Sequence, residues 1–410
     1  MASIEPKLDF DLVIIGSGMA GASLALALAE SELKIALIDS QDFKQSNATF
    51  DDRAIALAYG SKQILASMGI WGDLTPFAEA IKQIHISEQG RFGFSHLAAE
   101  QEQVEALGYV VTAKSLGQVL LAALETQDNI TCFNSTTLLD FSINQNYLTA
   151  SIKGKTEEVQ HLHCQLLVAA DGLNSSVRQQ LQLATKQQEY GQSAITANIE
   201  TDLSHQNIAY ERFCTEGPLA LLPMTKQRCG LVWTHKTENI DKILDYSDQD
   251  FIQHLQKAFG FRLGRITKVG ERSSYPLSFM LAKKSIHQRI ALIGNAAHSL
   301  HPIAGQGFNL GLRDVAVLAE ILNKSAQQKQ DIGCQDNLEA YQQWRNKDQK
   351  LVSLMTNSLV HIFTNPLFGM PFARNLGLLA VDFFPPVKHL ISRQAMGLRG
   401  TLPDLARKML

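Results

Sequence analysis

The chain has little of what would mark a secreted, metal-clustered, nucleic-acid-binding or membrane-spanning protein. Its five cysteines, Cys132, Cys164, Cys214, Cys229 and Cys334, are scattered through 410 residues with no C-x-x-C pair. That spacing argues against a disulfide framework or a metal cluster and suits a reducing cytoplasm. Neither sign of charge dominates. Lys and Arg number 37 against 40 Asp and Glu, giving a net charge of −3 and a pI near 6.5, which offers no support for nucleic-acid binding. No apolar run reaches the roughly 18 residues of a spanning helix. The opening stretch, Met1 to Phe10, lacks a basic n-region and an apolar h-region, so no secretory signal is expected. No internal repeat or low-complexity segment stands out. What remains is a chain with 45% hydrophobic and 19% charged residues, long enough for two or three domains with sizeable cores.

Residues 11–29 are the most informative stretch. Leu12 to Ile15 is continuously apolar, as in a parallel strand covered on both faces. Ala22 to Ala29 is rich in Ala and Leu, strong helix formers. Between them stands G-x-G-x-x-G: Gly16 for a tight turn, Gly18 for close approach of a pyrophosphate, Gly21 for helix-on-strand packing. A second apolar strand, Ile35 to Ile38, ends at Asp39, an acid placed to accept hydrogen bonds from an adenosine ribose. This unit reads as a dinucleotide site, against the plainer reading of a βαβ crossover with a surface Asp, and does not separate FAD from NAD.

Further along, a loop carrying Asp51, Asp52 and Arg53 runs into an apolar helix over 60–69, either as a solvated loop or as an Arg that covers a cofactor. Strand-like segments follow at 84–86, 90–94 and 108–111, then a helix over 115–124. A small meander is expected from 130–132, 138–143 and 148–152. Leu166 to Ala170 is another buried strand, ending at Asp171-Gly172 before a capped helix that carries Arg178. Residues 194–201, 208–214, 219–224 and 230–235 are spaced like antiparallel strands, with one sheet face free to cover a ligand. Pro223 suits a sheet edge or a strand end. A helix is expected over 248–259 and a strand over 275–279. Arg289 to Ile293 is a third parallel strand. It feeds a second glycine-rich stretch, 294–314, and a helix over 310–323, whose N-terminus would favour a negative charge. The tail reads as helices over 338–363 and 368–384, stopped by Pro385-Pro386. Its apolar faces serve either core packing or a membrane- or partner-facing surface.

Three stretches stand in chain order: G-S-G-M-A-G at 16–21, D-G-L-N-S-S-V-R at 171–178, and G-N-A-A-H-S-L-H-P-I-A-G-Q-G-F-N-L-G-L-R-D at 294–314. Together they resemble the FAD-dependent aromatic hydroxylases of the para-hydroxybenzoate hydroxylase type, and within them the ubiquinone-biosynthesis hydroxylases of the 2-polyprenyl-6-methoxyphenol hydroxylase branch. Phe50 to Leu57, Tyr210 to Phe213, Gly217 to Met224 and Leu231 to Trp233 carry the branch wording. The resemblance covers the chain from Asp11 to about Arg393.

The resemblance implies an α/β fold: a Rossmann-like FAD-binding domain (1–75, 111–185, 285–330) interleaved with an antiparallel-sheet substrate domain (76–110, 186–284), then a helical region (331–410). It implies that Gly16, Gly18, Ala20 and Gly21 cradle the FAD pyrophosphate and that Asp39, shorter than the commoner Glu, takes the ribose. Arg53 would lie near the flavin, and Asp171 and Gly172 between FAD and the nicotinamide of NAD(P)H. Gly294 and Asn295 would face the ribityl chain, with Asn where the wider family has Asp. Pro302, Gly305, Gln306, Gly307 and Asn309 would line the flavin ring. The implied chemistry is hydroxylation of a prenylated phenol by O2 through a flavin C4a-hydroperoxide, with NAD(P)H or a redox partner as electron donor. His298 and His301 are candidates for a base on the phenol, and equally for holding the loop backbone. The implied setting is cytoplasmic and peripheral to the inner membrane, with other ubiquinone-biosynthesis proteins or a second copy as partners and no nucleic acid. The alternatives are a sister hydroxylase acting at another ring position and a flavin-stabilised assembly subunit without turnover.

Overall fold

Apolar strand segments set the architecture. Leu12–Ile15, Ile35–Ile38, Leu166–Ala169 and Ile290–Leu292 are buried at every residue and pair in parallel, with Leu12 opposite both Leu166 and Ile35. Because side chains alternate across a strand, each segment feeds two cores. Leu12, Ile14, Leu166 and Val168 face the helices Met19–Ala27, Ala113–Leu124 and Gln306–Gln327. Val13, Ile15, Leu167 and Ala169 face a three-stranded meander. Ile130–Phe133 joins the far edge of the parallel sheet beside Ile35–Ile38, and Ile286–His287 closes the other edge antiparallel. The computed structural model describes residues 6–42, 52–156, 158–300, 305–364 and 384–407.

The expected meander is therefore corrected by one strand. It consists of Thr137–Ile143, Leu148–Lys153 and Val159–Cys164. Ile130–Phe133 belongs to the parallel sheet because Asn129 anchors its start: the Asn129 amide donates to the carbonyls of Leu28, Ser31 and Leu33, while its own carbonyl accepts from Ile35 N–H.

A second, nine-stranded sheet runs in the order His298–Ser299, Ser273–Ala282, Thr185–Thr201, Arg228–Lys236, Pro218–Met224, Ile208–Phe213, Gln83–Glu88, Phe94–Ala98, with Ile266–Val269 beside Thr185–Thr201. It is antiparallel except where Ile208–Phe213 pairs in parallel with Gln83–Glu88, two strands from separate passes of the chain. Pro223 sits at a strand end, and its strand is interior to the sheet. Helices Ile240–Leu244 and Asp248–Phe259 cover one face, burying Trp233, Leu219, Leu221 and Phe251.

Against the other face lies a small sheet of Ala54–Ala58, Gly108–Thr112 and Glu79–Ile81, close enough that a Cβ on Gly230 would lie 2.3 Å from the Ala54 Cβ. The run Ala-Ile-Ala-Leu-Ala has helical composition and carries no local strand signal. Pairing with Gly108–Thr112 makes it a strand before helix Tyr59–Ser67 begins.

At the C-terminal end, Gln335–Thr364 packs on Gln306–Gln327. Pro385 and Pro386 open a helix, Pro385–Ala395, occupying its first positions, where the missing N–H groups cost nothing. Of the helix expected over 368–384, residues 368–383 lie outside the described residues. Among the described residues no helix is long and apolar enough to cross a membrane.

His235 is buried against Trp233, with ring centroids 4.3 Å apart. Its Nδ1 lies 3.5 Å from the exposed Glu216 carboxylate. Burial pushes its pKa from 6.5 down to about 4. Between those values the unfolded chain binds a proton that the folded chain does not, so stability is complete above about pH 6.5 and is lost as the pH falls toward 4. Urea titrations at pH 7 and pH 5 are expected to show a lower midpoint at pH 5, and His235→Gln is expected to remove part of that difference.

Candidate active site

The three glycine-rich stretches meet at the carboxyl ends of the parallel strands, and backbone contact holds them together. Gly16 adopts φ +100°, and a Cβ there would lie 2.5 Å from the Ala170 carbonyl oxygen, at the start of the second stretch. A Cβ on Gly21 would lie 1.9 Å from the Gly16 oxygen. Gly294, at φ +56°, has room for its backbone only because Ala20 and Gly311 are small: its own Cβ would lie 3.0 Å from the Ala20 Cβ, and a Cβ on Gly311 would lie 3.2 Å from the Gly294 Cα. Gly18, Gly172 and Gly307, by contrast, have open space where a side chain would stand. The tight glycines build the junction, and the open ones leave space beside it.

Acids and amides fix this junction. Asp39 Oδ2 accepts from Ser17 N–H at 2.7 Å and from Ser17 Oγ at 2.6 Å, while Oδ1 accepts from Gln41 N–H. It thereby clamps the glycine turn to the end of the second strand. Asp171 Oδ2 caps the short helix Ser176–Gln180 through the N–H groups of Ser176 and Val177, while its buried Oδ1 has no hydrogen-bond partner among the described residues. Ser175 provides the second cap, to Arg178 N–H. Arg178 is buried and donates to the carbonyls of Ala296 and Leu173, stapling the second stretch to the third.

The third stretch is held from below by Asp314, whose side chain is fully buried. Its Oδ2 accepts from Gly294 N–H at 3.1 Å and from His298 Nε2 at 2.6 Å. Its Oδ1 accepts from Arg345 Nε at 2.7 Å and from the Gln349 amide. Burial alone would raise the Asp314 pKa, but His298 and Arg345 outweigh it and hold the carboxyl well below the usual range. Arg345 continues to Asp348, which Arg313 also reaches at 2.8 Å. His298, one of the two candidate bases, is thus committed through Nε2 to a buried carboxylate, which favours the loop-holding reading. His301 and Pro302 lie outside the described residues.

Gly305 (φ +60°) is the N-cap of the helix that begins at Gln306 and Gly307. The Asn309 side chain completes the strand Ala54–Ala58 as a backbone mimic, accepting from Ala58 N–H and donating to the Ala56 carbonyl, each at 2.8 Å, and to the Gly305 carbonyl. Asn295 is exposed between buried Gly294 and Ala296. Arg53 lies 5.7 Å from the centre of the Tyr275 ring, at the seam between the small sheet and the second sheet.

Sequence reasoning assigned no role to Asp314, Arg345 or Asp348. Asp314 lies inside the third stretch, but Arg345 and Asp348 sit on the helix expected over 338–363, for which the sequence suggests packing or a partner-facing surface and no site residue. The thiols of buried Cys164 and Cys229 and of half-buried Cys214 are pushed up by desolvation to about 12, so none is a thiolate at neutral pH.

The site fits a dinucleotide cofactor on two observations. Gly18, Gly172 and Gly307 leave open space around the strand ends, and Asp171 carries a buried acceptor with no hydrogen-bond partner among the described residues. Comparison with known proteins agrees. The FAD binding domain family is matched over residues 9–352. Ubiquinone hydroxylase UbiL of Rhodospirillum rubrum is 34% identical over 97% of this chain and 92% of its own length. The 3-demethoxyubiquinol 3-hydroxylase of Escherichia coli is 27% identical over 95% of this chain and 98% of its own. The crystal structure of p-nitrophenol 4-monooxygenase PnpA from Pseudomonas putida superimposes with a TM-score of 0.79 at 17% identity, covering 95% of this chain and 99% of that one, which shows a shared fold.

Two expectations follow. Gly18→Ala has an allowed backbone (φ −58°) and meets nothing, so it should leave the melting temperature of the apoprotein unchanged and weaken FAD binding, whereas Gly21→Ala should destabilise the apoprotein itself. Asp314→Ala should cost about 3–5 kcal/mol in chemical denaturation, the usual loss when one partner of a buried ion pair is removed, and should lower the FAD content of purified protein.

Proposed function

The chain belongs to the family of FAD binding domains, and on that premise we propose that it hydroxylates the ring of a polyprenylated methoxyphenol in ubiquinone biosynthesis. The observation that carries this reading is the joining of three glycine loops, with open space beside Gly18, Gly172 and Gly307, in a chain that resembles ubiquinone hydroxylases along almost its whole length.

Bound FAD would supply the activation of O2, using electrons from NAD(P)H or a redox partner. The residues of this chain do the rest. Gly16, Gly18 and Gly21 would hold the pyrophosphate, and Asp39, with lone pairs left beyond its three hydrogen bonds, the ribose. The open start of helix Gln306–Gln327 would present N–H groups and a partial positive charge to the flavin ring. Arg53 over Tyr275 would stand where the phenol ring enters. The small sheet, packed between the cofactor strands and the second sheet, would keep water from the reacting ring.

A prenylated substrate resides in a membrane. Exposed Phe384, Val387 and Leu390 on and beside helix Pro385–Ala395 support a peripheral contact there, or with partner proteins of the same pathway. A second reading, hydroxylation at another ring position, is favoured by the E. coli relative, which is named for the 3-position. A non-turning-over assembly subunit is distinguished by the purified protein: FAD without substrate-dependent O2 uptake would support that reading against both hydroxylases.

The deciding measurement is metabolite analysis of a deletion strain. The expected result is depleted ubiquinone with an accumulated prenyl-methoxyphenol. Normal ubiquinone without accumulation would overturn the proposal, and accumulation of a different ring intermediate would assign the position.

A further inference from the structure

The second sheet has two unlike faces. Under helices Ile240–Leu244 and Asp248–Phe259, the side chains of Ile195, Leu219, Leu221, Leu231 and Trp233 are sealed, none more than 2% exposed. Because side chains alternate along a strand, their sequence neighbours point the other way. There one row crosses five strands, with Thr196, Val232, Ala220, Glu211 and Ile86 opposite one another in successive pairs. Val232, Ala220, Glu211 and Ile86 are only half-buried, although their strands are interior to the sheet. Apolar side chains left half-open there, beside a single carboxylate, make a surface suited to an aromatic ring with one polar group.

That row lies next to the third glycine loop. Ala54 and Ala56 project from the same side of their strand. A Cβ on Gly305, the N-cap of helix Gln306–Gln327, would lie 3.1 Å from the Ala56 Cβ, and a Cβ on Gly230 would lie 2.3 Å from the Ala54 Cβ. One side of one short strand therefore meets both the loop and the second sheet. Val232 follows Gly230 by two residues on the same strand, so the row stands one position beyond that contact. With strands about 4.8 Å apart, Val232 and Glu211 are separated by about 10 Å, and only the small Ala220 stands between them. A ring lying flat over Ala220 brings its hydroxyl to Glu211. Two other carboxylates share this face. Glu200 is exposed and paired with Lys268, and Glu88 is buried opposite Phe213, a further position from Ala54. His298, the described candidate base, is committed to Asp314.

We propose that Glu211 is the catalytic residue that receives the phenol, accepting its hydroxyl as a hydrogen bond on binding and its proton during oxygen transfer. This rests on the hydroxylase reading and gives a role to the segment Tyr210 to Phe213, which the cofactor site leaves unused. As the ring carbon's π pair forms the bond to the oxygen atom derived from O2, the phenol O–H bond breaks, its electron pair closes a dienone C=O, and its proton passes to the carboxylate. Loss of the ring C–H proton to solvent then restores the aromatic ring. The hydroxyl of the forming dienone cation is far more acidic than a free phenol, so a carboxylate is base enough.

The test uses FAD-loaded protein with a geranylated methoxyphenol and its methyl ether. Binding is read from the flavin absorbance without NAD(P)H, and the oxygenation rate from a single turnover. Wild-type protein should bind the phenol about tenfold or more tighter than the ether, as a hydrogen bond to a charged acceptor provides. Glu211→Leu should bind the two equally, with FAD content and ether affinity unchanged. Glu211→Gln, which keeps the shape and an acceptor oxygen but is no base, should still prefer the phenol and lose about 10²-fold in rate. A phenol preference that survives in Glu211→Leu, or a wild-type rate in Glu211→Gln, overturns this inference while leaving the hydroxylase reading standing. Wild-type protein that binds neither probe overturns both. If Glu211→Leu fails to fold, the rate of the isosteric Glu211→Gln decides.

Discussion

The buried carboxylate of Asp314 is the constraint on which the site depends. An ionised acid with no solvent exposure is tolerable only when it is fully paired and hydrogen-bonded, and here both oxygens are occupied. The partners come from two places: the third glycine loop through Gly294 and His298, and helix Gln335–Thr364 through Arg345 and Gln349. Because the charge must be satisfied, the loop and the C-terminal helix pair are held in one arrangement. The flavin loop thus has a rigid floor, as a preorganised site requires.

The glycines divide the labour above that floor. Where two backbones must touch, as at Gly16 against Ala170 or Gly311 against Gly294, the absence of a Cβ is a packing necessity. Where space is left, at Gly18, Gly172 and Gly307, the same absence leaves room for a ligand. Arg178 then joins the second loop to the third by two carbonyl contacts. Three strand ends arrive at one junction, the position where open α/β sheets place their ligands.

The same ion network reaches past the cofactor. From Gly294 the contacts run through Asp314 to Arg345, then to Asp348 and back to Arg313. The third glycine loop and the two helices Gln306–Gln327 and Gln335–Thr364 therefore share a polar spine, while Asn309 bonds the small sheet from the first of them. The small sheet is in turn pressed on the second sheet at Gly230.

Local chemistry in the sequence was enough to determine the strand–glycine–helix units at Gly16, Asp171 and Gly294, the buried parallel strands, the helix over 248–259 and a side-chain cap, from Ser175 or Asn174, on the helix after Asp171. Each is a property of neighbouring residues: continuous apolarity, a missing Cβ, or a hydroxyl a few residues from the N–H it caps. Only the tertiary structure decided that Ala54–Ala58 is a strand, since its composition is helical and its partner lies over 50 residues away. The same holds for Ile130–Phe133, which left the meander for the parallel sheet through Asn129, and for Asn309, whose side chain does the work of a backbone group. Asp314 could be read as an acid in a motif, but its pairing with Arg345 could not. A buried charge is defined by what encloses it, and that is set by helices and loops distant in the chain that meet only when it folds.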